Sequence, residues 1–261
     1  MTRVLETVVF PAFRRVDFRG KGRLRGVLPV PAEGTPVVRF PGDVRLRLDL
    51  RESLQRDFYF GLYDRFELDL MSRHLAGDMV DVGAHVGMYA VRAARELRGR
   101  GRVLAFEPNP AAWEQLEQNV ALNGCDNVVV LSAAASAAAG RATLHVPASD
   151  DPSFSSLEGE RFAEGTPVDV DLTTVDAAVS AYGLRPSFVK VDVEGREVDV
   201  LRGMSETVAE FRPVLLVEVN ERSAPEVQRL LPGYRAERVT RRGPAPLAGA
   251  TGLFNALFSP D

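Results

Sequence analysis

Between Asp78 and Leu231 the apolar positions switch repeatedly from short runs to helical spacing. Met79-Val80-Asp81-Val82 is a short apolar run, and Gly83 to Gly87 reads as a turn. Val86, Ala90, Ala94 and Leu97 then fall on one helical face, with Arg92, Arg95 and Glu96 off it. A second strand is predicted at Arg102–Phe106. Asn109 and Pro110 follow as N-cap and first helical residue. Trp113, Leu116 and Val120 continue that helix until Asn123-Gly124 stops it, and this spacing assigns Trp113 to the core. Asn127–Leu131 is a third buried strand. The same alternation returns with a strand at Ser187–Val193, a helix from near Gly195, a strand at Val214–Val219 and a helix over Pro225–Leu231.

Three stretches break the rhythm. Val37–Phe40, the turn Pro41-Gly42-Asp43 and the alternating Val44–Leu48 predict a small hairpin in a segment where Arg and Lys outnumber acids. Residues Gly140 to Val175 predict two alternating strands around a Ser/Asp-rich loop, Ser149 to Ser156. The tail, Tyr234 to Pro260, suits a closing antiparallel pair. The fold class is therefore α/β, a mostly parallel sheet with helices on both faces, preceded by a β-rich extension. The expected division is an extension over 1–66 and a main domain over 67–261. Sheets of this kind bind ligands at the carboxyl ends of their strands, near the point where strand order reverses.

Composition narrows the classes. The chain has 261 residues, a net charge of −4 and 26% charged residues. A weakly acidic chain lacks the cationic surface that nucleic-acid binding needs. Cys125 is the only cysteine, which excludes an internal disulfide and a cysteine-rich metal site. Val8-Val9-Phe10, ended by Pro11, is too short for a signal peptide or a membrane span, so a cytoplasmic protein is expected. Lys21 and Lys190 are the only lysines, which makes a lysine inside an apolar strand conspicuous.

Candidate chemistry gathers at two places. In Asp81-Val82-Gly83-Ala84-His85-Val86-Gly87, the glycines let the backbone approach a ligand, and the helix behind them presents free N–H groups. A nicotinamide fingerprint needs Gly where His85 stands, so the loop suits a nucleoside with an amino-acid tail instead. Glu107 ends the next strand, roughly 20 residues past the loop, where an acid accepts both ribose hydroxyls. Ser132 and Ala133, at the end of the third strand, fall where an adenine edge would pack.

These segments, with Phe106-Glu107-Pro108, Val189-Lys190-Val191-Asp192-Val193-Glu194-Gly195 and Leu216-Val217-Glu218-Val219-Asn220, occur in an order and at distances that resemble the FkbM family of S-adenosylmethionine-dependent methyltransferases. The resemblance covers roughly Asp78 to Asn220. His85 departs from it, standing where the family usually has Asn. It implies a Rossmann-like fold, S-adenosylmethionine as cofactor and O-methylation of a hydroxyl on a natural product or sugar.

The second place is the reacting end. Lys190, Asp192 and Glu194 point one way if their strand persists that far, and Glu218 and Asn220 do so on the next strand. Charge inside apolar strands marks a site more often than it marks a closing ion-pair network. Asp192 serves either as a direct proton acceptor or, with Glu218, as a ligand of a divalent ion such as magnesium. The direct route is preferred, because no tight acidic cluster shows in the spacing. Lys190 either keeps Asp192 ionised or, if desolvated, acts as the base. His74 and His145 read as structural. Tyr59, Phe60 and Tyr63 suggest either a lid over the methyl donor or plain packing of the extension. Two other readings compete, a dinucleotide-dependent oxidoreductase and a cofactor-binding scaffold without catalysis. The missing central glycine argues against the first and the retained charges against the second.

Overall fold

The computed structural model describes residues 34–62, 65–146 and 165–261. β1 (Val37–Phe40) and β2 (Val44–Arg47) form an antiparallel hairpin, and α1 (Ser53–Phe60) and α2 (Arg65–His74) lead into the main sheet. There β3 (Asp78–Val82), α3 (Met88–Leu97), β4 (Val103–Phe106), α4 (Pro110–Leu122) and β5 (Val128–Leu131) alternate as their periodicity predicts. A three-stranded side sheet follows, of β6 (Ala133–Ala135), β7 (Gly140–Val146) and β8 (Thr166–Thr173). The loop expected at Ser149–Ser156 lies outside the described residues. The main chain rhythm resumes with α5 (Val175–Tyr182), β9 (Pro186–Val191), α6 (Glu197–Arg202), α7 (Ser205–Phe211), β10 (Val214–Asn220) and α8 (Ala224–Leu230). β11 (Tyr234–Arg238), β12 (Ala245–Pro246) and β13 (Leu253–Pro260) close the sheet.

The eight-stranded sheet runs β12-β11-β13-β10-β9-β3-β4-β5. β3 pairs parallel with β4 on one side and with β9 on the other. The chain thus winds outward to β5 and then crosses back to β9, which places the reversal of strand order beside the carboxyl end of β3. β13 enters antiparallel between β10 and β11, the closing pair expected of the tail.

Alternation along the strands sorts residues between two cores. Val80, Val82, Val189, Val191, Leu215 and Val217 pack on the face covered by α5, α6 and α8. Met79, Phe188 and Leu216 pack on the opposite face with α1, α3 and the hairpin. Asp81, Lys190 and Glu218 continue the parity of that second set, so the charged residues emerge on the α1 and α3 side.

The hairpin is joined to this core rather than appended to it. Val44, Leu46 and Leu48 are fully buried. The amides of Arg45 and Arg47 donate to Asn123 Oδ1 (2.8 Å) and Asn119 Oδ1 (2.7 Å), and both asparagine side chains donate back to the carbonyls of the same arginines. Spaced four residues apart, one on the last turns of α4 and one at its C-cap, the two carboxamides satisfy the edge of β2 as a neighbouring strand would. Trp113 corrects the expectation of a core tryptophan. The buried face of α4 is Ala112, Leu116 and Asn119, and Trp113, one position off that face, is only half-buried.

Candidate active site

β3 ends at Val82, and the loop after it turns on three left-handed residues, Gly83 (φ 80), His85 (φ 50) and Gly87 (φ 92). The amides of Gly83 and Ala84 both donate to the carbonyl of Phe106 (3.1 and 2.9 Å). A Cβ on Gly83 would lie 1.8 Å from the Asp192 carbonyl oxygen. That corrects the reading of Gly83 as space reserved for a ligand. The missing side chain admits the backbone leaving β9, whose Asp192 amide donates to Val82 O (3.0 Å). Gly87 is likewise a packing position, since a Cβ there would meet Leu116 Cδ1 at 2.5 Å.

Glu107 is buried at the end of β4 and accepts from the His85 amide (2.7 Å) and the Asn109 amide (2.9 Å), one on each carboxylate oxygen. Burial pushes its carboxyl above the ordinary value, against the pull of His85 and these two amides. Each oxygen keeps a second lone pair, so the group suits two hydroxyls of a ribose. Ser132 is exposed just beyond β5, beside the strand end where the Glu107 amide meets Leu131 O (3.0 Å). Ala133 belongs to β6 and pairs in register with Asp171.

Asp81 is wholly buried, and neither carboxylate oxygen has a partner of hydrogen-bond geometry. Burial raises it to about 6, with Lys190 pulling the other way and Asp192 adding to the rise. Lys190, its register neighbour on β9, is buried. Its ammonium lies 3.1 Å from Asp192 Oδ2 and 4.7 Å from the centroid of the Tyr89 ring. An ammonium so placed is shielded from water yet compensated by a carboxylate and a π face.

β9 stops at Val191, short of the Val193 expected, and Glu194 takes a left-handed conformation (φ 52) in the turn that follows. Strand alternation therefore does not place Glu194. The turn does so instead, and Asp192, Glu194 and Glu218 each bring an oxygen within 4.8 Å of the others. The spacing gave no sign of this cluster, so the expectation that none exists is corrected. Glu218 is pushed up to about 9, first by burial and then by Asp192 and Glu194, with Lys190 opposing. Asn220, expected to point with Glu218 into the site, spends its side-chain oxygen on the amides of Arg222 and Ser223 and closes the turn after β10.

Three contributors escaped the sequence reading. Glu197, buried at the start of α6, accepts from the amides of Gly195 (2.9 Å) and Val193 (3.4 Å) and so shapes the turn that carries Asp192 and Glu194. The distance of two residues from Gly195 was its one signal. Tyr89 and Glu52, the latter 3.3 Å from His85 Nε2, belong to elements whose approach no local pattern announces. Tyr59 and Phe60 are buried in the core, edge to face at 5.1 Å, which favours packing over a lid; Tyr63 lies outside the described residues. His74 ends α2 and His145 lies in β7.

A parallel sheet reversing at β3, with an acid at the tip of β4 and charges at the tips of β9 and β10, is the plan of a Rossmann-like methyltransferase. The Methyltransferase FkbM domain model matches residues 81–241, and the chain belongs to that family. Methyltransferase sdnD of Sordaria araneosa is 30% identical over 59% of this chain and 71% of its own length. The hexuronic acid methyltransferase AglP of Haloferax volcanii is 29% identical over 58% of this chain and 59% of its own length. An FkbM methyltransferase of Methylobacillus flagellatus shares the fold at 17% identity, with a TM-score of 0.50 over 82% of this chain and 56% of that one. The chain thus spans little more than half of the last two proteins. Family membership sets aside the oxidoreductase reading. Among the described residues no helix is long and apolar enough to cross a membrane.

Proposed function

We propose that this methyltransferase transfers the methyl group of S-adenosylmethionine to a hydroxyl of a natural product or sugar. The observation that carries the reading is the placement of Glu107 and Asp192 at the tips of β4 and β9, on either side of β3, where Glu107 accepts from the His85 amide of the loop and the Asp192 amide donates to Val82 O at the strand end. Glu107 suits the ribose. Asp81, buried with only the Ala90 amide approaching it and no hydrogen bond of full geometry, suits the ammonium of the amino-acid tail, since a buried carboxylate needs a donor. The cofactor, when bound, supplies an activated methyl on a sulfonium.

The work left to the chain is positioning and proton removal. Asp192 would take the proton of the hydroxyl that accepts the methyl group. Lys190, 3.1 Å away, pairs with Asp192 Oδ2 and fixes where that carboxylate sits. Glu218, raised to about 9, carries a proton at neutral pH and so is a donor to the acceptor molecule rather than a second base. Incubation of the enzyme and labelled S-adenosylmethionine with a native metabolite pool tests this. A product heavier by one methylene and carrying the label on oxygen is expected, and label on nitrogen or carbon contradicts the reading.

The carboxylate cluster favours a second reading, in which Asp192, Glu194 and Glu218 hold a hard divalent cation through oxygen ligands. Magnesium would then raise the melting temperature of the wild type at pH 8 but not that of Glu218→Gln, and chelation would abolish turnover.

A further inference from the structure

Glu52 lies 29 residues ahead of Asp81, where the matched family domain begins. It occupies the N-cap position of α1 but makes no side-chain cap. Its Oε2 instead accepts from Gln55 Nε2 (2.5 Å) and lies 3.3 Å from His85 Nε2, with only 14% of the Glu52 side chain and 18% of the His85 side chain exposed. Gln55 is itself fully buried. Its Oε1 accepts from the Asp49 amide (2.7 Å) and from Gln115 Nε2 (2.7 Å), and Gln115 Nε2 also donates to Arg47 O (2.8 Å). The Glu52 carboxylate is therefore fixed by a chain of amides that ties α1 to α4 and to the hairpin.

The residue it meets occupies the centre of the cofactor loop. The His85 amide donates to Glu107 at 2.7 Å, and its ring Nδ1 is buried with no partner. A carboxylate beside Nε2 favours a proton on that nitrogen, and in the neutral ring this leaves Nδ1 a bare acceptor. A buried acceptor is costly unless a donor meets it, and a nucleoside cofactor brings hydroxyl and amine donors into this loop.

We infer that Glu52 is a positioning residue for the cofactor: from outside the family domain it holds the His85 ring as the Nε2–H tautomer, so that Nδ1 accepts a hydrogen bond from the bound nucleoside. The inference rests on the S-adenosylmethionine reading and adds to it a requirement for the N-terminal segment. His85→Asn is the natural partner variant, because Asn tolerates the left-handed backbone and has no atom where Nε2 stands.

The test combines calorimetry with ¹⁵N NMR on the full chain, using S-adenosylhomocysteine as the probe. Glu52→Ala should weaken binding about tenfold, the size of one hydrogen bond. In the His85→Asn background the same change should alter affinity less than about twofold, because the path runs through the ring. The chain has three histidines, so the signals missing in His85→Asn assign this one. The ligand-free wild type should show the Nε2–H tautomer, lost in Glu52→Ala, with Nδ1 shifting when the probe is added. Equal losses in both backgrounds, or a ring protonated on Nδ1, would overturn the inference while leaving the cofactor reading intact. No binding by the wild type would overturn both, and the ligand-free tautomer would then show whether the Glu52–His85 pairing itself exists.

Discussion

Lys190 concentrates the residue-scale argument. Its ammonium faces Asp192 and Tyr89 and is the main force opposing the rise of Asp81. An uncharged replacement would leave the buried Asp81 and the partly buried Asp192 without that compensation. Lys190→Met should therefore destabilise the fold by about 3–5 kcal/mol, measured by urea denaturation. Lys190→Arg keeps the charge but cannot act as a base, so measurable turnover in that variant points to Asp192 as the proton acceptor. Asp192→Asn preserves shape and removes basicity. It should leave S-adenosylhomocysteine affinity unchanged in calorimetry and cut turnover by about 10²–10⁴-fold in a single-turnover assay. Normal turnover by Asp192→Asn would reduce the charged cluster to a plug at the end of the sheet. Lys190 and Glu218 were legible in the sequence because charge within an apolar strand is costly and therefore conspicuous, and Asp192 because it stands one residue past the end of β9. Glu52 was not, because a charged residue ahead of a helix looks like any N-cap, and its partner His85 is remote in sequence. Glu194 was legible for the wrong reason, since a turn and not strand alternation brings it to the cluster.

At the scale of elements, Gly83 shows how a motif can be recognised and its purpose misjudged. The glycine turn is visible in the chain, but only the structure shows that the space at Gly83 belongs to the backbone leaving β9. Gly83→Val should therefore separate β3 from the turn after β9. A strongly lowered melting temperature or insoluble protein is expected, and a normally folded variant with cofactor binding alone lost would contradict that account. The strand and helix assignments from β3 to β5 hold because each apolar run is bounded by a local signal, such as the Asn109 cap that accepts from the Ala111 amide (3.1 Å). The pairing of β2 with α4 was invisible, because Asn119 looks like an ordinary polar position on a helix and Asn123 like a helix stop. Asn119→Ala leaves the Arg47 amide without its acceptor and should cost about 1–3 kcal/mol. Faster hydrogen exchange confined to the hairpin would confirm it.

For the whole molecule, the clustered acids make stability depend on pH in a defined sense. Glu218 in the folded chain holds its proton up to about 9, whereas the ordinary value is 4.5. Below the ordinary value both states are protonated and its contribution is fully present. As pH rises toward 9 the unfolded chain releases the proton first, and stability falls. The melting temperature should therefore decline from pH 5 to pH 9, and less steeply in Glu218→Gln. The overall architecture was readable because alternating elements leave a parallel sheet few ways to wind, and the order reversal at β3 follows from returning the chain to β9. What gathers at that reversal from outside the alternation, above all the hairpin and α1, depends on tertiary packing that no periodicity encodes. The central claim is that this packing builds a site for S-adenosylmethionine with Glu107 on its ribose. Isothermal titration of S-adenosylhomocysteine into the wild type and Glu107→Ala, with NAD as control, tests it most directly. Saturable binding of S-adenosylhomocysteine alone is predicted, weakened by about 1.5–3 kcal/mol in the variant. Binding of NAD in its place, or equal affinity in both proteins, would contradict it.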